Sequence, residues 1–336
     1  MPPSETTCKE IFEYEKLHDN PEAENVADAL GYSKKTVYNC HYEYNAELLA
    51  ESEPESDDKF SEVLDQDKYE LWRSFKEYQK NVRKNRQFKE NIKASIKPKN
   101  GKAYLIGLGD LHIENIMAYN DKLESDILTL MEREDVGILV PGDLSDNAVK
   151  YMDLSFETLA GPKDARRMAK MVLGLVKDKI IAMSSGCHER HSDEEADYNH
   201  IQDLCGRWDI PYLGHKGLVD LQVGQINYQV AVSHKGKGNS MYNDLHSAVR
   251  MVREQYSEAD IVVTAHIHQA GFLSQVEQGR RRLMVSIGSY KQDDRYSRSR
   301  NFLNSQDNLD TPVIQLSADK KKFEVFHDIS ILDRLE

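Results

Sequence analysis

Hydrophobic and polar positions follow two regimes along this chain, and the change comes near residue 100. From Ala103 onward, short apolar runs alternate with stretches of helical periodicity. Five runs read as buried strands: AYLIGLGD (103–110), VGILVPGD (136–143), KIIAMSSG (179–186), NYQVAVSH (227–234) and DIVVTAH (260–266). Each is aliphatic or β-branched, short, and ends on a small or polar residue. Helical spacing predicts helices over Asp121–Arg133, Lys163–Lys177, Glu195–Leu204 and Ser240–Gln255. The segment PVIQLSADKKKFEVFHDI alternates around a turn and predicts a hairpin. Strands interleaved with helices give an α/β class, with layered sheets and helices outside.

The first hundred residues carry a different pattern. Residues 1–50 predict a small helical unit, and residues 51–100 a charged helical linker with one long helix from about Lys59 to Ile92. The stretch KASIKPKNGK then reads as a connection, since Pro98 and Asn100-Gly101 are breakers. The third domain spans 101–336. Within the first, Asn20-Pro21 can start a helix whose apolar face is Val26, Ala27 and Leu30. Gly31 breaks it, and Ser33 can cap a second helix with Val37 and Cys40 inward.

Composition narrows the class. The 336 residues are 39% hydrophobic and 30% charged, as in a globular chain. No apolar run approaches the roughly 18 residues of a membrane span. The start, MPPSETTCKE, lacks the basic and apolar stretches of a secretory signal, so a cytoplasmic location is expected. The four cysteines form no close pair and are expected to be reduced. The net charge of −13 argues against broad nonspecific nucleic-acid binding, but it is unevenly spread. Residues 43–58 hold seven acids and no base, whereas residues 80–102 hold nine bases against Glu90 alone. Arg280–Arg282 and the segment Arg295–Arg300 are further basic clusters.

The strand ends carry the chemistry, because ligands of open α/β sheets bind at the carboxyl ends of strands. Those ends read Asp110-Leu111-His112, Gly142-Asp143 with Asp146 and Asn147, Gly186-Cys187-His188-Glu189, His234, and His266-Ile267-His268. Five of the twelve histidines fall there. On extended backbone, alternate residues point the same way, so Asp-x-His and His-x-His can each converge on an ion. Mixed Asp and His donors suit Mn, Fe or Zn. Two such ions about 3.5–4 Å apart can clamp a phosphoryl group and generate hydroxide. One Asp-x-His is ordinary surface chemistry; five ordered segments, each after an apolar strand, are not.

These segments resemble the calcineurin-like metallophosphoesterase superfamily, whose order of motifs is DxH, GDxxD, GNHE, H, GHxH; here they read GDLHIEN, GDLSDN, GCHER, SHKG and AHIH. The resemblance covers about residues 103–336. It implies a four-layer αββα sandwich with a dimetal centre at one sheet edge. One ion would be held by Asp110, His112 and His268, the other by His234 and His266, with Asp143 bridging. His188 would act near the leaving group, oriented by Asp146. Two divalent ions are expected, Mn first, with Zn or Fe as alternatives. Cys187 stands where the family has an Asn ligand, and its thiolate would favour a softer ion such as Zn. Ala265 replaces the usual Gly.

The N-terminal pattern resembles the helix-turn-helix family, with Ala27, Gly31 and Val37 at its small, turn and inward positions. That resemblance implies nucleic-acid contact through Ser33, Lys34, Lys35, Thr36, Tyr38 and Asn39. The expected function is phosphodiester hydrolysis, nuclease-like, with nucleic acid as partner, no membrane, and a homodimer left open. Two alternatives stand beside it: a phosphatase or small-nucleotide phosphodiesterase with a protein-binding N-terminal module, and a DNA-binding regulator built on an inactive scaffold.

Overall fold

A computed structural model of the chain describes residues 65–85, 91–148, 157–196, 198–238, 240, 243–277, 279–292 and 309–335, with the backbone alone at 78–85, 193–196 and 277. It also describes 10, 11, 14, 26, 29–32 and 37. The chain divides into two compact units, Met1–Arg86 and Gln87–Glu336.

In the first unit, Ile11, Val26 and Val37 are fully buried against one another, with Tyr14, Leu30 and Tyr32 packed around them. Gly31 has a φ of 72°, a left-handed turn that a side chain would strain. Val26, Leu30 and Val37 thus take the inward positions read from the sequence. The nucleic-acid positions Ser33, Lys34, Lys35, Thr36, Tyr38 and Asn39 lie outside the described residues, as does Arg295–Arg300. A helix, α1, runs from Gln66 to Asn85. Residues 86–90 lie outside the described residues, and the expected end at Ile92 falls in a strand.

The second unit contains two sheets. One has six strands in the order β1 (Asn91–Ile96), β5 (Lys216–Val223), β6 (Ile226–Ser233), β7 (Ile261–Thr264), β9 (Arg280–Ser286), β8 (Gly271–Glu277). The other has five: β11 (Phe323–Phe326), β10 (Val313–Ser317), β2 (Lys102–Gly107), β3 (Val136–Val140), β4 (Ile180–Met183). Strands β2, β3 and β4 are parallel to one another, as are β6, β7 and β9.

Three apolar clusters define the layers. Leu105, Leu139, Val230, Val263 and Val285 pack between the sheets. Outside the five-stranded sheet, Ile106, Ile138 and Val140 meet α2 (Asn120–Met131), α3 (Pro162–Gly174) and α5 (His200–Trp208). Helix α2 contributes Leu123, Ile127 and Leu130, the i, i+4, i+7 stripe of an amphipathic helix. Outside the six-stranded sheet, α6 (His246–Glu254) buries Ala248, Val249, Met251 and Val252. The result is the expected αββα sandwich. Among the described residues, no helix is long and apolar enough to cross a membrane.

Several expectations are corrected. Residues 91–96, expected to end a helix and begin a linker, form β1, parallel to β5. Ile92 and Ile96 there are each 5% exposed, and their burial against the inter-sheet core decides the conformation. The helix expected over Glu195–Leu204 is two helices, α4 (Cys187–Ala196) and α5. Asn199 caps α5, accepting the Gln202 N–H at 2.8 Å, so an N-terminus lies where the periodicity looks continuous.

Candidate metal centre

The carboxyl ends of β2, β3 and β4 from one sheet and β6 and β7 from the other meet at one place, and the five segments singled out in the sequence occupy those ends. Asp110, His112, Asp143, Asp146 and His234 are all buried. Their donor atoms cluster in overlapping groups suited to divalent metal: Asp110 with His112 and His268, Asp110 with Asp143 and His234, and Cys187 with His234 and His266. Within each group the donor atoms lie within 4.8 Å of one another. Asp110 is shared between the first two groups; Asp143, expected to bridge, joins only the second.

Backbone geometry differs from the extended arrangement inferred from alternation. Asp110, His112, Asp143, Asn147, His266 and His268 all have positive φ, between 45° and 79°. Left-handed backbone is uncommon outside glycine and carries strain of about 1–3 kcal/mol per residue, which the surrounding structure must sustain. It turns His266 and His268 toward different donor groups instead of one. The loops also pack tightly. A Cβ on Gly142 would collide with the Gly186 backbone, and one on Gly186 with the Asp143 carboxylate.

Two atoms test whether this site fits metal. Asp110 Oδ1 and His234 Nε2 are buried without a hydrogen-bond partner, an arrangement that costs free energy unless a cation satisfies it. His234 Nδ1 faces the Pro141 carbonyl at 3.0 Å, so it carries a proton, and Nε2 lies 3.0 Å from Asp143 Oδ2, where a proton or a metal ion can sit between them. Likewise, His112 Nδ1 lies 2.7 Å from Asp146 Oδ1, leaving its Nε2 only 3.2 Å from His268 Nε2. A carboxylate behind a histidine fixes the tautomer that ligates metal. The donor set fits two divalent cations.

The electrostatics agree. Burial, and next the charge of Lys291, pushes His112 down to about 4. Burial and then His234 bring His266 to about 4, and burial holds His268 well below the usual imidazole range. These rings stay neutral, as ligation requires. Burial opposes the charge on His234, but Asp143 overrides it and raises its proton affinity well above normal. That attraction is for positive charge and would serve a metal ion equally. Burial would lift Asp146, but His112 and Lys291 hold it well below the carboxylate range.

Asp146 meets His188 through its main chain, and its carboxylate has further contacts. Its carboxylate orients His112, and the Lys291 ammonium and the Asn115 amide also reach it. His188 is held by the Asp146 main-chain carbonyl at 2.9 Å, and its own N–H donates to Asp143 Oδ1 at 2.8 Å. Three contributors are not marked in the sequence. Glu189 accepts the N–H groups of Asp143, Leu144 and Gly186 at 2.8–2.9 Å, tying the β3 and β4 ends together. Its place in GCHER is visible, its role is not. Asn115 ends the GDLHIEN segment with no role assigned to it, and Lys291 carries no pattern that would mark it. Of the basic cluster Arg280–Arg282, Arg282 is buried and donates to the Ala259 and Ser257 carbonyls.

Neither a protein-family model nor a curated protein matches the sequence. Solved structures do show likeness. A predicted phosphoesterase from Streptococcus pneumoniae is 12% identical, covering 68% of this chain and 99% of its own, with a TM-score of 0.33. Zinc-complexed Vps29 from Entamoeba histolytica is 13% identical over 67% and 98%, with a TM-score of 0.34. Nuclease MPE from Pseudomonas putida is 10% identical over 66% and 87%, with a TM-score of 0.31. Likenesses of this size say nothing about substrate, and the weight rests on the residues themselves. The second unit has the αββα layering that its sequence resemblance to the calcineurin-like metallophosphoesterases implies, and it brings the five donor segments to one place.

Proposed function

We propose that the chain is a metal-dependent phosphoesterase that cleaves phosphodiester bonds, with nucleic acid as its substrate class. The observation that carries the reading is the pair of buried, unpartnered atoms, Asp110 Oδ1 and His234 Nε2, each within a converging donor group. In this reading Asp110, His112 and His268 hold one ion, and Asp143, Cys187, His234 and His266 the other. When bound, the two ions polarise the phosphoryl oxygens and supply the nucleophile near neutral pH.

The chain's own residues do the rest. His188 is partly exposed and anchored through Nδ1, which leaves Nε2 to face a leaving-group oxygen. It is the proposed proton donor. Asp146 keeps His112 in the ligating tautomer, and Lys291 steadies Asp146. The converging donors argue against an inactive scaffold. The N-terminal helical unit supports the nucleic-acid part of the reading.

The test is purified protein with Mn²⁺ or Zn²⁺ against single-stranded DNA, duplex DNA, bis-p-nitrophenyl phosphate and p-nitrophenyl phosphate in parallel. Cleavage of the diester and of DNA, abolished by chelator, is expected. Hydrolysis of the monoester alone would turn the reading to a phosphatase, and no metal-dependent hydrolysis of any of the four would end it.

A further inference from the structure

We infer that the groove beside the Cys187–His234–His266 group is a subsite for the phosphates of an oligonucleotide strand, and that it reads charge and not bases. This deepens the proposed function and rests on it for the position of the reacting phosphate.

A cavity of about 330 Å³ opens against Cys187 and His234, and Arg190, Lys216, Lys235 and Lys237 line it. No Asp or Glu is among its described lining residues. Against a chain of net charge −13, a groove with three lysines and no acid among its described lining residues marks a local reversal of potential. The Lys216 ammonium donates to the neutral Gln255 amide at 3.0 Å, so that contact leaves its charge uncompensated.

The sequence builds the groove from three places. Arg190 lies in the first turn of α4, three residues past Cys187, and Lys216 opens β5. Lys235-Gly236-Lys237 follow His234 directly after β6. Gly236 sits against α6: a Cβ there would stand 2.5 Å from the Ser247 side chain. The close approach sets both lysines beside the metal centre.

The geometry selects among phosphate esters. The volume is near the low end of small-molecule sites, roughly 300–1,000 Å³, and suits about one further nucleotide. A phosphomonoester or isolated diester ends at the metal centre and leaves the three lysines unused. A polyphosphodiester continues past it and places its next phosphate among them. Sites that grip single strands through bases use aromatic platforms. No Phe, Tyr or Trp is among the described lining residues, so recognition through the backbone is expected, without base preference.

The experiment uses the full chain with Mn²⁺ and a fluorescent phosphorothioate oligothymidylate, which resists cleavage, with affinity followed by anisotropy across a salt series. Lys235→Gln with Lys237→Gln should weaken binding about tenfold at low salt. The log–log salt slope should also flatten, by about 0.7 for each phosphate no longer neutralised. Lys216→Glu with Lys237→Glu should weaken binding further. Lys177→Gln with Lys320→Gln, at the opposite ends of the strands, should leave both affinity and slope as in the wild type. Oligoadenylate should bind like oligothymidylate. An unchanged slope in both groove variants, at equal metal content and melting temperature, would overturn the inference. So would displacement of the probe by polyglutamate as effectively as by oligothymidylate. Hydrolysis of bis-p-nitrophenyl phosphate by the wild type reports separately on the phosphoesterase reading. Binding that depends on the lysines without hydrolysis keeps the groove and removes the enzyme; hydrolysis with lysine-independent binding does the reverse.

Discussion

Cys187 sets this centre apart chemically. It is half-buried at the start of α4, with its sulfur grouped with His234 and His266. A thiolate is a softer donor than an amide oxygen and shifts preference toward Zn and away from Mn. Titration with Co²⁺ should therefore give a thiolate-to-metal charge-transfer band. Cys187→Asn should lose the band, still take up two ions, and move its preference toward Mn²⁺. A wild-type protein that binds two Co²⁺ without the band would make the thiol a bystander. Asp110 predicts a pH dependence. Burial pushes its carboxyl up to about 7, with His234 opposing and Asp143 adding to the rise. Ligation needs the carboxylate, so below about 7 a proton must leave first. Metal affinity should fall as pH falls through that value, by up to about tenfold per pH unit for each proton displaced. His112 and His266, at about 4, do not compete for protons in this range. Calorimetry in buffers of different ionisation enthalpy should show proton release on metal binding growing from about pH 8 to about pH 6. A flat profile would place Asp110 outside the ligand set.

At the scale of elements, the centre depends on holding two strand ends together. Glu189, on the first turn of α4, gathers three N–H groups from the loops after β3 and β4. Glu189→Gln would set an amide donor against those donors and strand at least one of them. Hydrogen bonds to a charged group are worth about 1.5–3 kcal/mol. Unfolding in urea should show a loss of that order, with metal occupancy falling alongside. Stability within about 0.5 kcal/mol of wild type would mean that the loops hold without it. The five strands ending in donors were legible because each closes on an unbroken apolar run, as burial on both faces requires. Strands β1, β5, β8 and β9 were not, since their apolar positions are mixed with polar ones: NIKASI and GFLSQVE read equally as loop. The donors were legible from their types and order. Their backbone was not, because left-handed φ at Asp and His leaves no mark in composition. Glu189 and Lys291 act through contacts distant in sequence, which no local pattern announces.

At the scale of the whole molecule, the boundary between the two units decides what can be separated. The sequence places the start of the third domain at residue 101. The structure puts the division between Arg86 and Gln87, because β1 belongs to the six-stranded sheet. Its pairing with β5 runs from Asn91–Leu218 to Ile96–Val223, and Ile92 and Ile96 enter the inter-sheet core. Burying a side chain of this kind is worth about 1.5–3 kcal/mol, so removing both costs roughly 3–6 kcal/mol before the exposed β5 edge is counted. A fragment beginning at Gln87 should fold, bind two ions and hydrolyse a small phosphodiester like the full chain. A fragment beginning at Lys97 should be strongly destabilised or aggregate. Denaturant unfolding of the two, with metal content beside it, separates the cases; equal stability would show β1 to be peripheral. The Gln87 fragment then isolates the first unit. If residues 1–86 contact nucleic acid, their loss should weaken binding to duplex DNA and flatten its salt dependence by about 0.9 for each phosphate left unneutralised. Lys34→Ala with Lys35→Ala in the full chain should show a smaller change in the same direction. If the Gln87 fragment binds and cleaves DNA like the full chain at every salt concentration, the first unit reads no nucleic acid, and its small core of Ile11, Val26 and Val37 supports a protein-binding module instead.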